Sequence, residues 1–252
     1  MSSQLDYYTF MGFNPEELRL RYAVYADRFA AGSRVLDVGC GRGEFLELLA
    51  RRKVAGIGID ADEAMVSEVN RKGLQAVTTE AVPYLEANPA EFDGIFAAHL
   101  IEHMGPEAVQ ALVRLAAKAL KPKGRLILVT PNPRNLQMQL RDFWIDLQHV
   151  RFYSADIIRW IVHEAGLREI EIGTNPSYRS GPPLAQQPLP ELPLTPPPVR
   201  NLDRRIVNRL YRAMRRSPTQ RRLVELERRT NALVQWMQGL YPPAEYFVTG
   251  VR

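Results

Sequence analysis

Two short segments concentrate side chains that can move protons or hold a cation. The first reads His99-Leu100-Ile101-Glu102-His103, and the second reads Asp146-Leu147-Gln148-His149-Val150-Arg151. Together they contain three of the chain's four histidines. Because a histidine of ordinary pKa accepts protons near neutral pH, we predict a catalytic set with His149 as general base, His103 as second choice and Glu102 beside it. In the alternative interpretation, Glu102 and His103 only brace the helix that follows.

A glycine-rich loop follows the first predicted strand. The loop reads Asp37-Val38-Gly39-Cys40-Gly41-Arg42-Gly43. Glycines let the backbone turn sharply and approach a ligand closely, and open α/β sheets bind ligands at the carboxyl ends of their strands. A dinucleotide site would require a third glycine where Glu44 stands, counting from Gly39. The loop therefore predicts a cofactor site of another kind.

The glycine loop resembles the first motif, Asp-x-Gly-x-Gly-x-Gly, of class I methyltransferases that depend on S-adenosylmethionine (SAM). The resemblance extends over about residues 32–172. It implies that the loop cradles the amino-acid half of SAM, that Asp37 orients this end, and that S-adenosylhomocysteine is the product.

Two further acids match the family. Asp60 ends the second strand, where one carboxylate can accept both ribose hydroxyls. Glu80 follows the third strand and corresponds to the acid near the adenine amine, although aspartate is more common there. The predicted cofactor residues are Asp37, Gly39, Cys40, Gly41, Gly43, Asp60, Ala61, Glu80, Ala81 and His99.

A metal site is the alternative for the histidine segments. His99, Glu102, His103 and His149 resemble the Glu-x-x-Glu-His set, with a distant His, by which small-RNA 2′-O-methyltransferases hold a divalent metal. Some ubiquinone-pathway O-methyltransferases resemble it too. This chain has His99 where an acid is usual, and a mixed imidazole and carboxylate set suits a transition metal better than magnesium. We predict no metal and keep this set as the alternative.

The segment that contains His149 also suggests an acceptor. Residues 144–151 resemble the Trp-x-Asp-x-x-His-Val-Arg signature of methyltransferase domains in bacterial surface-polysaccharide (O-antigen type) biosynthesis. The resemblance implies O-methylation of a hydroxyl, or a phosphate, on a sugar or glycan, with Trp144 and Arg151 as substrate-binding residues. Alternatively, Trp144 belongs to the core and Arg151 to a surface ion pair. A small aromatic or isoprenoid acceptor, or a SAM-binding protein without turnover, also remains open.

The elements that must position these residues alternate along the chain. Short, nearly all-apolar strands alternate with helices, which predicts an α/β fold with a Rossmann-like, mostly parallel seven-stranded sheet covered by helices on both faces. Strands are predicted at 34–38, 54–59, 74–78, 92–97, 125–130, 167–172 and 244–251, and helices at 15–29, 44–52, 62–72, 82–87, 106–120 and 154–165.

We divide the chain into an N-terminal helical segment (1–31), a SAM-binding core (32–174), an insert (175–243) and a final strand at the sheet edge (244–252). The insert opens with nine prolines between 176 and 198, which exclude a helix or a ladder there. Apolar residues at helical spacing then predict a helical hairpin over 202–240.

The basic charge of the chain belongs to the insert. Residues 175–243 hold twelve arginines and four acids, a net charge of +8, so the remainder carries −3 of the total +5. The hairpin could pack or form a homodimer through its apolar side, cover the substrate, or lie on anionic lipid. Its aromatic residues do not form a single-strand stacking platform, so nucleic acid is not predicted as a partner.

The composition is that of a globular protein, with 46% apolar and 24% charged residues. The sequence has no run of about 18 apolar residues, and its N-terminus lacks a basic segment followed by an apolar one. Cys40 is the single cysteine, so no internal disulfide can form. We therefore predict a cytoplasmic protein, either free or peripheral at the inner membrane face.

Overall fold

A single sheet organises the chain. The computed structural model describes residues 12, 14–178, 203–215 and 218–252. In this part of the chain the strands form one seven-stranded sheet in the order β3-β2-β1-β4-β5-β7-β6, and β7 runs antiparallel to both of its neighbours while the pairs from β3 to β5 are parallel. The strands are β1 Arg34–Val38, β2 Ala55–Asp60, β3 Ala76–Thr78, β4 Phe92–Ala98, β5 Leu120–Pro131, β6 Arg168–Thr174 and β7 Glu245–Val251.

The helices begin at the residues that the capping signals indicate. The Asn14 side chain accepts a hydrogen bond from the Glu16 N–H at 2.8 Å, and Asp62 and Ser154 cap later helices in the same way. The first helix ends three residues before the predicted position 29. The helices are α1 Pro15–Ala26, α2 Glu44–Arg51, α3 Glu63–Arg71, α4 Ala81–Ala87, α5 Pro106–Ala119, α6 Ala155–Glu164, α7 Arg204–Arg215 and α8 Pro218–Gly239.

Apolar side chains cover both faces of the sheet. On β4, Ile95 and Ala97 belong to a buried cluster with residues of α4, α5 and α6, whereas Phe96 between them belongs to a second cluster with residues of α1, α2 and α3. Successive residues of a strand point to opposite faces, so the alternation shows that helices pack on both sides. The predicted Rossmann-like α/β fold is confirmed.

The predicted edge position of residues 244–252 is wrong. β7 lies between β5 and β6, pairing with Arg125–Pro131 on one side and with Arg168–Thr174 on the other. Six of its seven residues are buried, whereas β6 at the edge is mostly exposed. Thr249 and Gly250 dilute the apolar run of β7, which is why its sequence resembles a half-exposed strand rather than a central one.

The chain divides into two units, with boundaries after residue 180 and after residue 241. Asn175 remains with the core because its side chain donates to the Arg21 carbonyl at 2.8 Å, and Pro242 remains because its carbonyl accepts from Asn135. The insert is therefore shorter than the predicted 175–243. In the described part of the insert, α7 and α8 are the two predicted helices, and the proline-rich linker lies outside the described residues from 179 onward.

The close contact between β2 and the glycine loop gives a stability prediction. A methyl group at Gly58 would lie 2.6 Å from the Cys40 sulfur and 2.8 Å from the Cys40 Cβ, which the loop backbone holds in place. We expect Gly58→Ala to lower the free energy of unfolding by about 1–3 kcal/mol, as overpacking does, in urea denaturation followed by circular dichroism. Gly239→Ala, where nothing lies within 4 Å, is the control and should lose no stability. Equal stability of the two variants would contradict the packing described here.

Candidate active site

A cavity of about 520 Å³ opens where the parallel strands end. Val38 and Asp60 from the ends of β1 and β2 line it, together with Glu80 after β3 and Leu100 after β4. Open α/β sheets bind their ligands at this edge. A second part of the wall comes from α1, from the segment after β5 and from Tyr178 after β6. Its residues include Leu18, Arg21, Tyr22, Met138, Asp142, Ile145, Asp146, Gln148, His149 and Tyr178.

The Asp60 carboxylate is held in a fixed orientation at the cavity wall. Its Oδ2 accepts a hydrogen bond from the Gly41 N–H at 2.9 Å, and its Oδ1 accepts one from the Asp62 N–H at 2.9 Å. Each oxygen retains a further lone pair. This carboxylate can therefore accept the two adjacent hydroxyls of a ribose, as the sequence predicts.

The glycine loop brings its backbone to the cavity in a conformation that favours glycine. Gly39 and Gly43 have φ of +72° and +84°, and a methyl group at Gly39 would lie 3.3 Å from Leu100. Of the predicted cofactor residues, those that line the cavity are Gly39, Asp60, Ala61, Glu80, Ala81 and His99, whereas Asp37, Cys40, Gly41 and Gly43 are not among its lining residues.

Asp37 and Cys40 are buried beside the loop. Burial raises the pKa of Asp37 well above its usual range, and the neighbouring Asp60 and Glu44 raise it further. Burial likewise raises the pKa of the Cys40 thiol, which faces Gly58 rather than the cavity. The Cys40 side chain thus packs the loop onto β2.

These features fit S-adenosylmethionine. At Gly39 the backbone can approach the amino-acid end of the cofactor closely. The oriented Asp60 carboxylate is placed for the ribose, and Glu80 with the start of α4 for the adenine. Each of these groups lies on the cavity wall. The hydrogen-bond donors and acceptors of the wall therefore match those of the cofactor that the sequence predicts.

His149 lies on the cavity wall with one ring nitrogen already engaged. Its Nδ1 lies 2.7 Å from the Phe143 carbonyl oxygen. Since a carbonyl oxygen can only accept, Nδ1 must carry the hydrogen, which leaves Nε2 as the acceptor nitrogen of the neutral ring. Burial lowers the pKa of His149, and this favours the neutral form that can take a proton.

Glu102, His103 and His149 come together as the sequence predicts. One ligand atom from each lies within 4.8 Å of the others. Within the described residues, His103 Nδ1 is the one buried side-chain polar atom without a hydrogen-bond partner. These three residues could hold a metal ion. His99, the fourth member of the predicted set, is not part of the cluster because both of its ring nitrogens face carboxylates.

His99 instead bridges two buried acids. Its Nδ1 lies 3.0 Å from Glu102 Oε1, and its Nε2 lies 3.1 Å from Glu245 Oε2. Because a carboxylate oxygen only accepts, Nδ1 donates to Glu102, whereas Nε2 lies between the Glu245 carboxylate and the Arg21 guanidinium. Burial and the charge of Arg21 lower the pKa of His99, but the two carboxylate hydrogen bonds outweigh them and raise it.

Glu245 lies at the centre of this buried network. The side chain is fully buried and accepts hydrogen bonds from Arg21, from Tyr25 at 2.7 Å and from Asn175 at 2.8 Å, in addition to His99. Burial raises the pKa of Glu245, but the charge of Arg21 and the hydrogen bond from His99 outweigh it and lower the pKa to about 2. The network joins α1 and β7 to the segment that carries Glu102.

Trp144 and Arg151, the predicted substrate-binding residues, do not line the cavity. The Trp144 side chain is 60% exposed, and its Nε1 donates to the Gln139 carbonyl at 2.7 Å. The Arg151 guanidinium lies over the Tyr153 ring, 5.0 Å from its centroid. Both therefore contact neighbouring residues of their own segment, and a substrate role for them stays a prediction.

Several wall residues were not predicted from the sequence. Arg21 lies on α1 and stacks on the Tyr178 ring, with 3.7 Å from its guanidinium carbon to the ring centroid. Met138–Asp142 forms a π-helical turn that continues into an α-helical turn, Phe143–Ile145. Arg21 is one of two arginines on α1, and no local pattern in the sequence distinguishes it from Arg19.

Comparison with known proteins identifies the family. The family model described as a methyltransferase domain matches residues 10–172. The chain belongs to this family. The match, together with the geometry of the cavity, confirms the sequence prediction of a methyltransferase that uses S-adenosylmethionine.

Curated relatives of this methyltransferase include ubiquinone biosynthesis O-methyltransferases. The chain is 30% identical over 160 residues to that of Idiomarina loihiensis, which covers 56% of this chain and 64% of the relative. It is 37% identical over 108 residues to that of Xylella fastidiosa strain 9a5c, which covers 40% and 43%. The chain thus spans less than two thirds of either relative. The glycan acceptor predicted from the sequence stays a prediction.

Solved structures share the fold of this methyltransferase. A SAM-dependent methyltransferase from Archaeoglobus fulgidus has a TM-score of 0.73 at 23% identity, and the match covers all of both chains. Phosphoethanolamine N-methyltransferase 2 of Haemonchus contortus, solved with S-adenosyl-L-methionine, has a TM-score of 0.56 at 17% identity, covering 93% of this chain and 52% of that one.

The assignment of Asp60 to the ribose gives a binding prediction. Asp60→Ala removes two hydrogen bonds to a charged acceptor, each contributing about 1.5–3 kcal/mol. We therefore expect the variant to bind SAM at least about 100-fold more weakly than the parent, as measured by calorimetry. The control is Asp93→Ala, because Asp93 lies at the start of β4, where it accepts hydrogen bonds from Arg34 and Lys121. Unchanged affinity in a folded Asp60→Ala protein would remove Asp60 from the site.

The Glu245 network gives a second stability prediction. Glu245→Gln keeps the size of the side chain but leaves the buried Arg21 without its charged partner, so we expect the free energy of unfolding to fall by about 3–5 kcal/mol. Glu171→Gln is the matched control, because Glu171 pairs at the surface with Arg28, two residues after the end of α1, and the substitution should cost at most about 1 kcal/mol. Similar losses in urea denaturation would show that burial of the pair does not matter.

Proposed function

We propose that the chain transfers the methyl group of S-adenosylmethionine to a hydroxyl oxygen, with His149 as the general base. The observation that carries this proposal is the orientation of His149, whose Nδ1 donates to the Phe143 carbonyl while its Nε2 is the acceptor nitrogen. A hydroxyl is a weak nucleophile until a base removes its proton. An amine acceptor would need no such base once it is neutral, so the neutral imidazole on the wall favours O-methyl transfer.

Different residues of the wall bind the cofactor and the acceptor. The cofactor supplies a methyl group on a sulfonium sulfur and leaves as S-adenosylhomocysteine. Asp60, Glu80 and the Gly39 backbone hold it at the strand ends, while His149 faces the same cavity from the segment after β5. Alignment of the acceptor hydroxyl by this part of the wall is itself a large part of catalysis.

The acceptor that the wall fits best is a hydroxyl on a small, largely apolar molecule such as a phenol. The cavity that His149 lines also has several apolar and aromatic side chains on its wall, which suit an aromatic ring better than a sugar. The O-methyltransferase relatives in ubiquinone biosynthesis are consistent with this choice. The side chains concerned are Leu18, Tyr22, Met104, Met138 and Ile145.

A sugar or glycan hydroxyl is the second candidate acceptor. Asp142, Asp146 and Gln148 also line the cavity, and such groups can accept hydrogen bonds from a polyhydroxyl molecule. The signature that Trp144, His149 and Arg151 form in the sequence supports the same candidate. Assay of methyl transfer to a catechol and to a panel of sugars separates the two acceptors. SAM binding without turnover on any of them would indicate a protein that only binds the cofactor.

The base assignment predicts a specific loss of turnover. We expect His149→Ala to bind SAM as tightly as the parent and to lose about 10²- to 10⁴-fold in turnover, the usual contribution of a general base. His163→Ala is the matched control, because His163 is an exposed histidine on α6 and should retain full activity. Unchanged turnover in His149→Ala would exclude this mechanism.

A chelator separates the base from the metal alternative. If His149 acts as a base alone, prolonged treatment with a strong chelator leaves turnover unchanged. If Glu102, His103 and His149 hold a metal that activates the hydroxyl, chelation abolishes turnover and zinc or another transition metal restores it. The second result would replace the proton-acceptor role of His149 by a ligand role.

A further inference from the structure

Large apolar side chains are exposed beside the mouth of the cavity. Ile145 both lines the cavity and is 40% exposed, so the exposed surface continues into the cavity wall. Single exposed apolar residues are ordinary, but a cluster of them marks a surface that binds something. The exposed apolar residues of the segment 140–150, called the rim patch below, are Leu140 (74% exposed), Trp144 (60%), Ile145 (40%), Leu147 (89%) and Val150 (59%).

The local backbone places part of the rim patch on one side. Residues 138–145 are helical, and Leu140 and Trp144 are four residues apart, so their side chains are neighbours along the helical turn. Trp144 already satisfies its ring N–H through the Gln139 carbonyl. The indole N–H therefore needs no hydrogen bond from water, and the ring can enter an apolar layer.

The charges of the same segment are sorted between outside and inside. The three arginines, Arg134, Arg141 and Arg151, are exposed, and of these Arg141 pairs with Asp142 at 3.4 Å. The two acids, Asp142 and Asp146, line the cavity, and their side chains are only 24% and 11% exposed. The outer surface of the segment is thus apolar and cationic, which is the combination that binds an anionic lipid surface.

We propose that the rim patch inserts into the interfacial layer of a bilayer that contains anionic lipid. Apolar side chains would enter the boundary between headgroups and acyl chains, and the arginines would contact lipid phosphates. No helix in the described part of the chain is long and apolar enough to cross a membrane, so contact through the rim patch is peripheral. The proposal goes beyond the proposed function and rests on it for one consequence: an acceptor with an apolar tail could leave the tail in the bilayer while its hydroxyl reaches His149.

Tryptophan fluorescence tests the contact at the patch itself. The chain has three tryptophans, so Trp160→Phe with Trp236→Phe leaves Trp144 as the single reporter. The probe is a vesicle of phosphatidylglycerol with brominated acyl chains, which quench only tryptophans that enter the layer. We expect Trp144 emission to shift to shorter wavelength on plain vesicles and to be quenched on brominated ones.

The matched control retains only Trp160, through Trp144→Phe with Trp236→Phe. Trp160 lies on α6, outside the rim patch, and is 54% exposed, close to the exposure of Trp144. It should show neither shift nor quenching. If the protein sediments with vesicles while Trp144 is not quenched, another surface such as the basic helices α7 and α8 binds the lipid, and the proposal is wrong. Absence of any vesicle binding would also overturn it.

A second variant keeps the test independent of tryptophan substitutions. Leu147 is 89% exposed, so Leu147→Ser should fold normally and weaken sedimentation with phosphatidylglycerol vesicles at least about tenfold. Leu20→Ser, at a leucine of 72% exposure on α1, should bind as the parent does. If Leu147→Ser instead converts a dimer into a monomer and leaves vesicle binding intact, the patch is an interface between two copies. Because these assays need neither SAM nor acceptor, they are independent of the methyl-transfer proposal.

Discussion

The acceptor side of the cavity depends on the partners that neutralise two buried carboxylates, Glu102 and Glu245. An unpaired buried charge costs several kcal/mol, so each acid requires partners that remain in place. His99 contacts both acids, and Arg21 contacts Glu245. Strand β7, helix α1 and the turn after β4 are therefore joined through charge pairs rather than through apolar packing alone. The backbone carbonyl of Glu102 also accepts from the Val150 N–H, which ties the His149 segment to the same network.

The two halves of the cavity are built in different ways. The cofactor side is local: Gly39, Gly41 and Asp60 lie at the ends of adjacent parallel strands, and backbone N–H groups orient the carboxylate. The acceptor side is assembled from distant parts of the chain, since α1, the segment after β5 and Tyr178 meet there. A methyltransferase domain can thus keep one cofactor while the segments on the other side differ in the acceptor that they admit.

This difference explains what the sequence could predict. The glycine loop, Asp60 and the alternation of strands and helices follow from short-range patterns. The fold was predicted from them, and so were some of the residues that line the cavity, such as Gly39, Asp60 and Glu80. Arg21, Glu245 and Tyr178 depend on contacts between residues far apart in the chain, and no local pattern distinguishes them. Likewise, Thr249 and Gly250 interrupt the apolar run of β7, so its central position depends on pairing with β5 and β6 that the sequence does not display.

The central claim is that one cavity holds the cofactor ribose at Asp60 and an acceptor hydroxyl at His149. A crystal structure with S-adenosylhomocysteine and a catechol bound tests it most directly. The account predicts ribose hydroxyls within hydrogen-bond distance of the Asp60 carboxylate and an acceptor oxygen roughly 2.6–3.2 Å from His149 Nε2. A ribose held elsewhere, or an acceptor hydroxyl that faces away from His149, would contradict it.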